Sequence, residues 1–137
     1  MRVALVGDQR PAVRAGLEAA EGVDLVGSPE TEGDGEIPRL AASLRAFESL
    51  FEGQRVDRLV VVGSSDPSLA AVLVATKMLV PVAALESPDG DRDEAGAPRM
   101  NARLIEHLAD AALADDEAAL AAWLRDSQQP SQAPAEH

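Results

Sequence analysis

The residues best placed to do chemistry in this 137-residue chain stand where apolar runs stop. Gly7 follows "RVALV" and opens "GDQRP", Gly63 follows "RLVVV" and opens "GSSDP", and Glu86 ends "PVAALE" ahead of "SPDGDRDEAGAP". A glycine between a strand and a helix lets backbone N–H groups face a phosphate, backed by the positive end of the helix. Arg10 is a counter-ion for such a phosphate. The segment from Gly7 to Arg10 reads equally well as an ordinary turn with a surface arginine. One glycine per turn also falls short of a glycine-rich fingerprint. A carboxylate at a strand end, such as Glu86, can move a proton when a closed cleft raises its pKa; a solvated strand end is the simpler role.

The remaining polar clusters point away from metal chemistry. Asp89, Asp91, Asp93 and Glu94 gather oxygens of the kind calcium prefers, but Glu94 stands where a calcium-binding loop needs glycine and Met100 where it needs its closing glutamate. A solvated acidic loop is expected there. His107 lies in "LIEHLAD", where packing or capping is expected of it, and His137 falls in the tail. With no cysteine, thiolate metal sites, disulfides and cysteine nucleophiles are excluded. Neither a metal nor a cofactor is expected.

The elements that would position these residues follow from periodicity. Strands are expected at 2–6, 23–27, 58–63 and 81–86, the third and fourth apolar enough to be buried on both faces. Pro11 suits the first turn of a helix running through "AVRAGLEAA". Ile37, Leu40, Leu44, Phe47, Leu50 and Phe51 make one face of a second helix. A third, over 68–79, is apolar on nearly every side, so it is either sandwiched inside the domain or covered by another subunit. A fourth runs from about Arg99 to Asp110 with Met100, Leu104, Ile105 and Leu108 inward. "AALA" at 111–114 reads as a short fifth strand, because "DDEAALAAWLRD" after it starts a further helix. Residues 1–125 form one domain and 126–137 a compositionally disordered tail. Strands alternating with helices imply an α/β, three-layer Rossmann-like fold on a mainly parallel sheet of about five strands. In such sheets ligands sit beyond the carboxyl ends of the strands.

Composition excludes some partners. Twelve basic against 24 acidic residues leave a net charge of -12, which repels nucleic acid and anionic membrane. No apolar run approaches the ~20 residues of a membrane span, and the start of the chain lacks a signal-peptide layout. A cytoplasmic protein is expected. Aromatics make up only 2% of the chain, so Ala, Val and Leu must fill the core.

From residue 56 to 125, "VDRLVVVGSSDPSLAAVLVATKMLVPVAALE" and "NARLIEHLADAALADDEAALAAWLRD" resemble the amino-terminal lobe of the UDP-N-acetylglucosamine 2-epimerases. In that family a strand leads to Gly-Asp-Thr, a second ends in His-Val-Glu-Ala-Gly, and an Asn-Arg-x-Leu-Ile-x-His-Leu-Ala helix follows. The resemblance implies a UDP or UDP-sugar ligand and elimination and re-addition of UDP by carboxylates. Carried over by position, Gly63, Ser64 and Ser65 replace Gly-Asp-Thr, so a serine stands at the carboxylate. Glu86 matches the family glutamate, but Ala84 replaces the histidine before it. Pro98 falls near a further family glutamate; Asn101 is kept, with Ala102 at the arginine position and Arg103 beside it. One of three family carboxylates remains. The resemblance therefore implies a non-catalytic binding or assembly module, or half of a split epimerase completed by a second polypeptide, with homodimerisation or a protein partner expected on the 68–79 helix.

Residues 2–27 are also similar to the opening of response-regulator receiver domains. Those need an acidic pair, a phosphoacceptor aspartate after the third strand and a late lysine; here Gly63 and "VAALES" stand at the latter two places. That likeness implies at most a phosphorylation-independent receiver-like signalling domain.

Overall fold

The computed structural model describes residues 1–7, 11–29, 34–85, 97–113 and 117–128. Five strands, β1 (Arg2–Gly7), β2 (Asp24–Val26), β3 (Arg58–Val62), β4 (Val82–Leu85) and β5 (Ala111–Ala112), form one sheet in the order β2-β1-β3-β4-β5. Every neighbouring pair is parallel. The helices between and after them are α1 (Pro11–Ala19), α2 (Glu36–Gln54), α3 (Asp66–Lys77), α4 (Ala97–Leu108) and α5 (Glu117–Gln128). The expected α/β three-layer fold is present, "AALA" supplies its fifth strand, and α5 extends three residues into the segment expected to be tail.

Period-two alternation builds the layers. On one face Ala4, Val6, Leu59, Val61, Val82 and Ala84 pack with Phe47 and Phe51 of α2, most of α3 and Ile105 of α4. On the other, Val3, Val60, Val62, Ala83 and Leu85 meet Val13 and Leu17 of α1 and Leu120 and Leu124 of α5. Both faces of β3 and β4 are thus dry, which is why those strands read as unbroken apolar runs. The chain leaves β1 outward to β2, then crosses back over β1 to β3. Right-handed crossovers in opposite directions put α1 and α2 on opposite faces. The carboxyl ends of β1 and β3 therefore diverge into different layers, leaving a crevice at the strand-order reversal.

The helices answer the questions their patterns raised. In α3, Ser68 to Val72, Val74 and Ala75 are buried, enclosed by the sheet, α2 and α4. The apolar sides of α3 are covered within one chain, so the sandwiched reading holds for it, while Leu79, past the helix end, is 89% exposed. Two inner faces are narrower than expected. Ile37 is 74% exposed, because the first turn of α2 lies ahead of Leu40, its first partly covered apolar position. Met100 and Leu104 are 57% and 40% exposed while Ile105 is buried. The reason is that α4 rests on α3 and β4, and β5 has only two residues, too short to floor the outer flank of the helix.

At the amino edge of the sheet, two aspartates lock strand register in the same way. The Asp57 N–H donates to the Arg2 carbonyl while the Arg2 N–H donates to Asp57 Oδ2, at 2.8 Å each. The Asp110 N–H donates to the Val82 carbonyl at 2.9 Å while the Val82 N–H donates to Asp110 Oδ2 at 2.7 Å. Each carboxylate satisfies the first N–H of a neighbouring strand, which a shortened ladder would leave open. Asp57→Ala and Asp110→Ala are each expected to cost about 1–2 kcal/mol. Urea unfolding of the two variants checks this; a loss near zero at either would show that water replaces the carboxylate without penalty.

Candidate functional site

The crevice between β1 and β3 is shaped by backbone that tolerates no side chain. Gly7 pairs with Val62 in the ladder and has φ +111°. A Cβ there would lie 2.1 Å from the Val62 carbonyl oxygen and 2.7 Å from Ser68 Oγ. Glycine is required both by the left-handed backbone and by the approach of β3 and α3. Gly63, with φ +84°, turns the chain out of β3 while its N–H donates to the Leu85 carbonyl at 3.0 Å. That N–H continues the sheet ladder and is not a phosphate donor.

From Gly63 the chain passes through Ser64 and Ser65 into α3. Ser65 is the N-cap, its Oγ accepting from the Ser68 N–H at 3.3 Å and donating to Ser68 Oγ at 3.0 Å. This is the local reason α3 starts here: a capped first turn with Asp66 beside the positive helix end and Pro67 where no N–H is needed. Asn101, reaching across from α4, is 3% exposed. Its Nδ2 donates to the Ser64 carbonyl at 3.1 Å and to Asp66 Oδ1 at 2.8 Å.

Ser64, Ser68 and Asn101 are three of the four buried polar side chains among the described residues, Ser43 being the other. Burying polar groups is costly unless they are paired, and here Ser68 and Asn101 are paired through Ser65, Ser64 and Asp66. The structure therefore brings Gly7, Gly63, Ser64, Ser65 and Asn101 together. Arg103 does not join them: it is exposed on α4, two residues and so about 200° around the helix from Asn101. Arg10 and Glu86 lie outside the described residues. Two members of the cluster, Asp66 and Ser68, were absent from the sequence-based site. The Ser65-x-x-Ser68 spacing, an N-cap and its third helical residue, was the available signal for Ser68. Nothing local announces the Asp66–Asn101 contact, which joins residues 35 apart.

Chemically, the described part of the site presents serine hydroxyls, the Asn101 amide and the Asp66 carboxylate. Asp66 lies in the first turn of α3, and its Oδ1 is held by the Asn101 amide. Among the described residues there is no group of three or more metal-ligating side chains.

Two substitutions test this geometry. Gly7→Ala is expected to destabilise the fold by at least about 2 kcal/mol through backbone strain and the Val62 contact, read as a lower urea midpoint. Asn101→Ala is expected to cost about 2 kcal/mol by removing its hydrogen bonds to the Ser64 carbonyl and Asp66 at a buried position. Asn101→Asp, equal in size but without an N–H, should cost at least as much; a variant as stable as the parent would overturn the donor role of Nδ2.

No protein-family model matches the chain, and neither does any curated protein. Solved structures do. The UDP-GlcNAc 2-epimerase of Methanocaldococcus jannaschii matches with a TM-score of 0.67 at 22% identity, over 94% of this chain and 43% of that one. The Neisseria meningitidis UDP-GlcNAc 2-epimerase, bound to UDP-GlcNAc, matches with a TM-score of 0.69 at 17% identity, over 94% and 44%. The Rickettsia bellii UDP-N-acetylglucosamine 2-epimerase gives 0.68 at 14% identity, over 95% and 42%. The chain thus spans less than half the length of the structures it matches, and it has the α/β fold of one portion of the UDP-N-acetylglucosamine 2-epimerases.

Proposed function

We propose that the chain is an epimerase-like lobe that binds UDP or a UDP-sugar at the carboxyl ends of β1 and β3 without catalysing its epimerisation. The observation that carries this reading is the buried polar cluster of Ser64, Ser68 and Asn101 at the strand-order reversal. It lies on a fold shared with epimerase structures that hold UDP-GlcNAc. Open α/β sheets receive ligands in this crevice. Against catalysis stand Ser64, at the position the resemblance assigns to a carboxylate, and the engagement of Asp66 by Asn101. Proton abstraction at carbon 2 of a sugar requires a positioned base, and the described rim supplies none.

A second reading is favoured by the coverage. Spanning about 43% of the matched M. jannaschii chain, this protein could contribute half of an epimerase cleft that a separate polypeptide completes. A receiver-like role has less support: β3 ends at Val62 and is followed by Gly63, Ser64 and Ser65 with no carboxylate among them, and β4 ends at Leu85.

Ligand binding to the folded state alone separates these readings. UDP at about 100 times its dissociation constant adds about 2.7 kcal/mol of stability. For a domain of this size each kcal/mol raises Tm by about 3–5 °C. UDP and UDP-GlcNAc are expected to raise Tm, with no conversion of UDP-GlcNAc by the chain alone. Absence of any shift across a nucleotide panel would overturn the binding role. Turnover on adding a candidate second lobe would establish the split enzyme instead.

A further inference from the structure

Between α2 and the later turns of α3 lies a groove of about 380 Å³ whose apolar lining is Leu44, Leu73, Val74 and Met78. Leu44, Leu73 and Met78 are only partly buried, so the fold does not close over it. The charged groups of its lining are Arg45, Glu48 and Lys77, all exposed. Neither cation meets a carboxylate among the described residues. On a chain whose net charge is -12, this groove presents two cations against one carboxylate.

The residue that follows Met78 works against the stability of the fold. The end of α3 is a Schellman motif, in which the Val80 N–H donates to the Ala75 carbonyl at 2.8 Å and the Leu79 N–H to the Thr76 carbonyl at 3.3 Å. Such a motif holds one residue in the left-handed region, where glycine is unstrained. Leu79 takes that place at φ +63°, and it is 89% exposed. No burial offsets its strain. Strain kept at an exposed apolar residue, at the mouth of an open apolar groove, is a mark of a contact made outside the chain.

We propose that the groove and Leu79 together seat an acidic amphipathic helix of another protein. A helix laid along two others turns apolar residues at i, i+3, i+4 and i+7 toward the groove floor. Carboxylates on either side of that row then meet Arg45 on the α2 wall and Lys77 on the α3 wall, and Leu79 adds an apolar anchor at the end. A second copy of the chain would present the same two cations and set like charge against like. Nucleic acid and anionic membrane are repelled by the net charge. The seat lies where α3 ends and the nucleotide crevice where α3 begins, so this role is independent of UDP binding.

Selection from a random peptide library displayed on phage tests the proposal, with the full chain as bait and the double variant Arg45→Glu, Lys77→Glu for counter-selection. Enriched peptides are expected to carry Asp or Glu beside apolar residues at helical spacing, and to bind the parent with a micromolar dissociation constant in fluorescence anisotropy. Lys77→Glu and Leu79→Gly should each weaken that binding about tenfold, while Leu79→Gly raises Tm by about 3 °C through relief of strain. Affinity lost in a variant more stable than the parent separates docking from a structural role. No enrichment over the counter-selecting variant, enriched peptides that are neutral or basic, full affinity in Leu79→Gly, or a Leu79→Gly variant no more stable than the parent would each overturn the proposal. So would sedimentation equilibrium in which the parent dimerises and Lys77→Glu does not, because the groove would then belong to a second copy.

Discussion

The contact on which this molecule most depends is the approach of β3 and α3 to the end of β1. At Gly7 the Val62 carbonyl and the Ser68 hydroxyl occupy the space a side chain would need. Because β1 and β3 meet that closely, the chain can leave β1 toward one helical layer and β3 toward the other from neighbouring points. The crevice at the strand-order reversal is a product of that divergence. Opening the distance by one methyl group would move β3 and the start of α3, and with them every polar group of the candidate site.

The polar corner is held by bonds that serve structure first. Ser65 caps α3, and Asn101 spends one Nδ2 on both the Ser64 carbonyl and Asp66. These bonds fix the loop after β3 from two directions, through the helix it opens and through a helix further along the chain. They also engage Oδ1 of Asp66 in the first turn of α3. A corner built in this way is rigid and polar.

The contrast between α3 and α4 illustrates how apolar content misleads when read without neighbours. The helix with almost no polar side is satisfied, because two helices and a sheet surround it. The helix with a clear polar face is the one left partly bare, because β5 contributes only two residues beneath it. Cover depends on the number and length of adjacent strands, and no residue of α3 or α4 encodes it.

By itself the sequence determined the alternation of strands and helices, the parallel sheet buried on both faces of β3 and β4, the turns at Gly7 and Gly63, and the likeness to one lobe of the epimerases. These are local or periodic properties, written into apolar runs and glycine positions. The tertiary structure alone decided that Asn101 meets Ser64 and Asp66, that Arg103 points away from them, that Gly63 gives its N–H to the sheet, and that Met100 and Leu104 remain in water. Each of those outcomes depends on how far one element lies from another across the fold. Contacts between residues some 35 positions apart are fixed by packing, which side-chain spacing along the chain does not record.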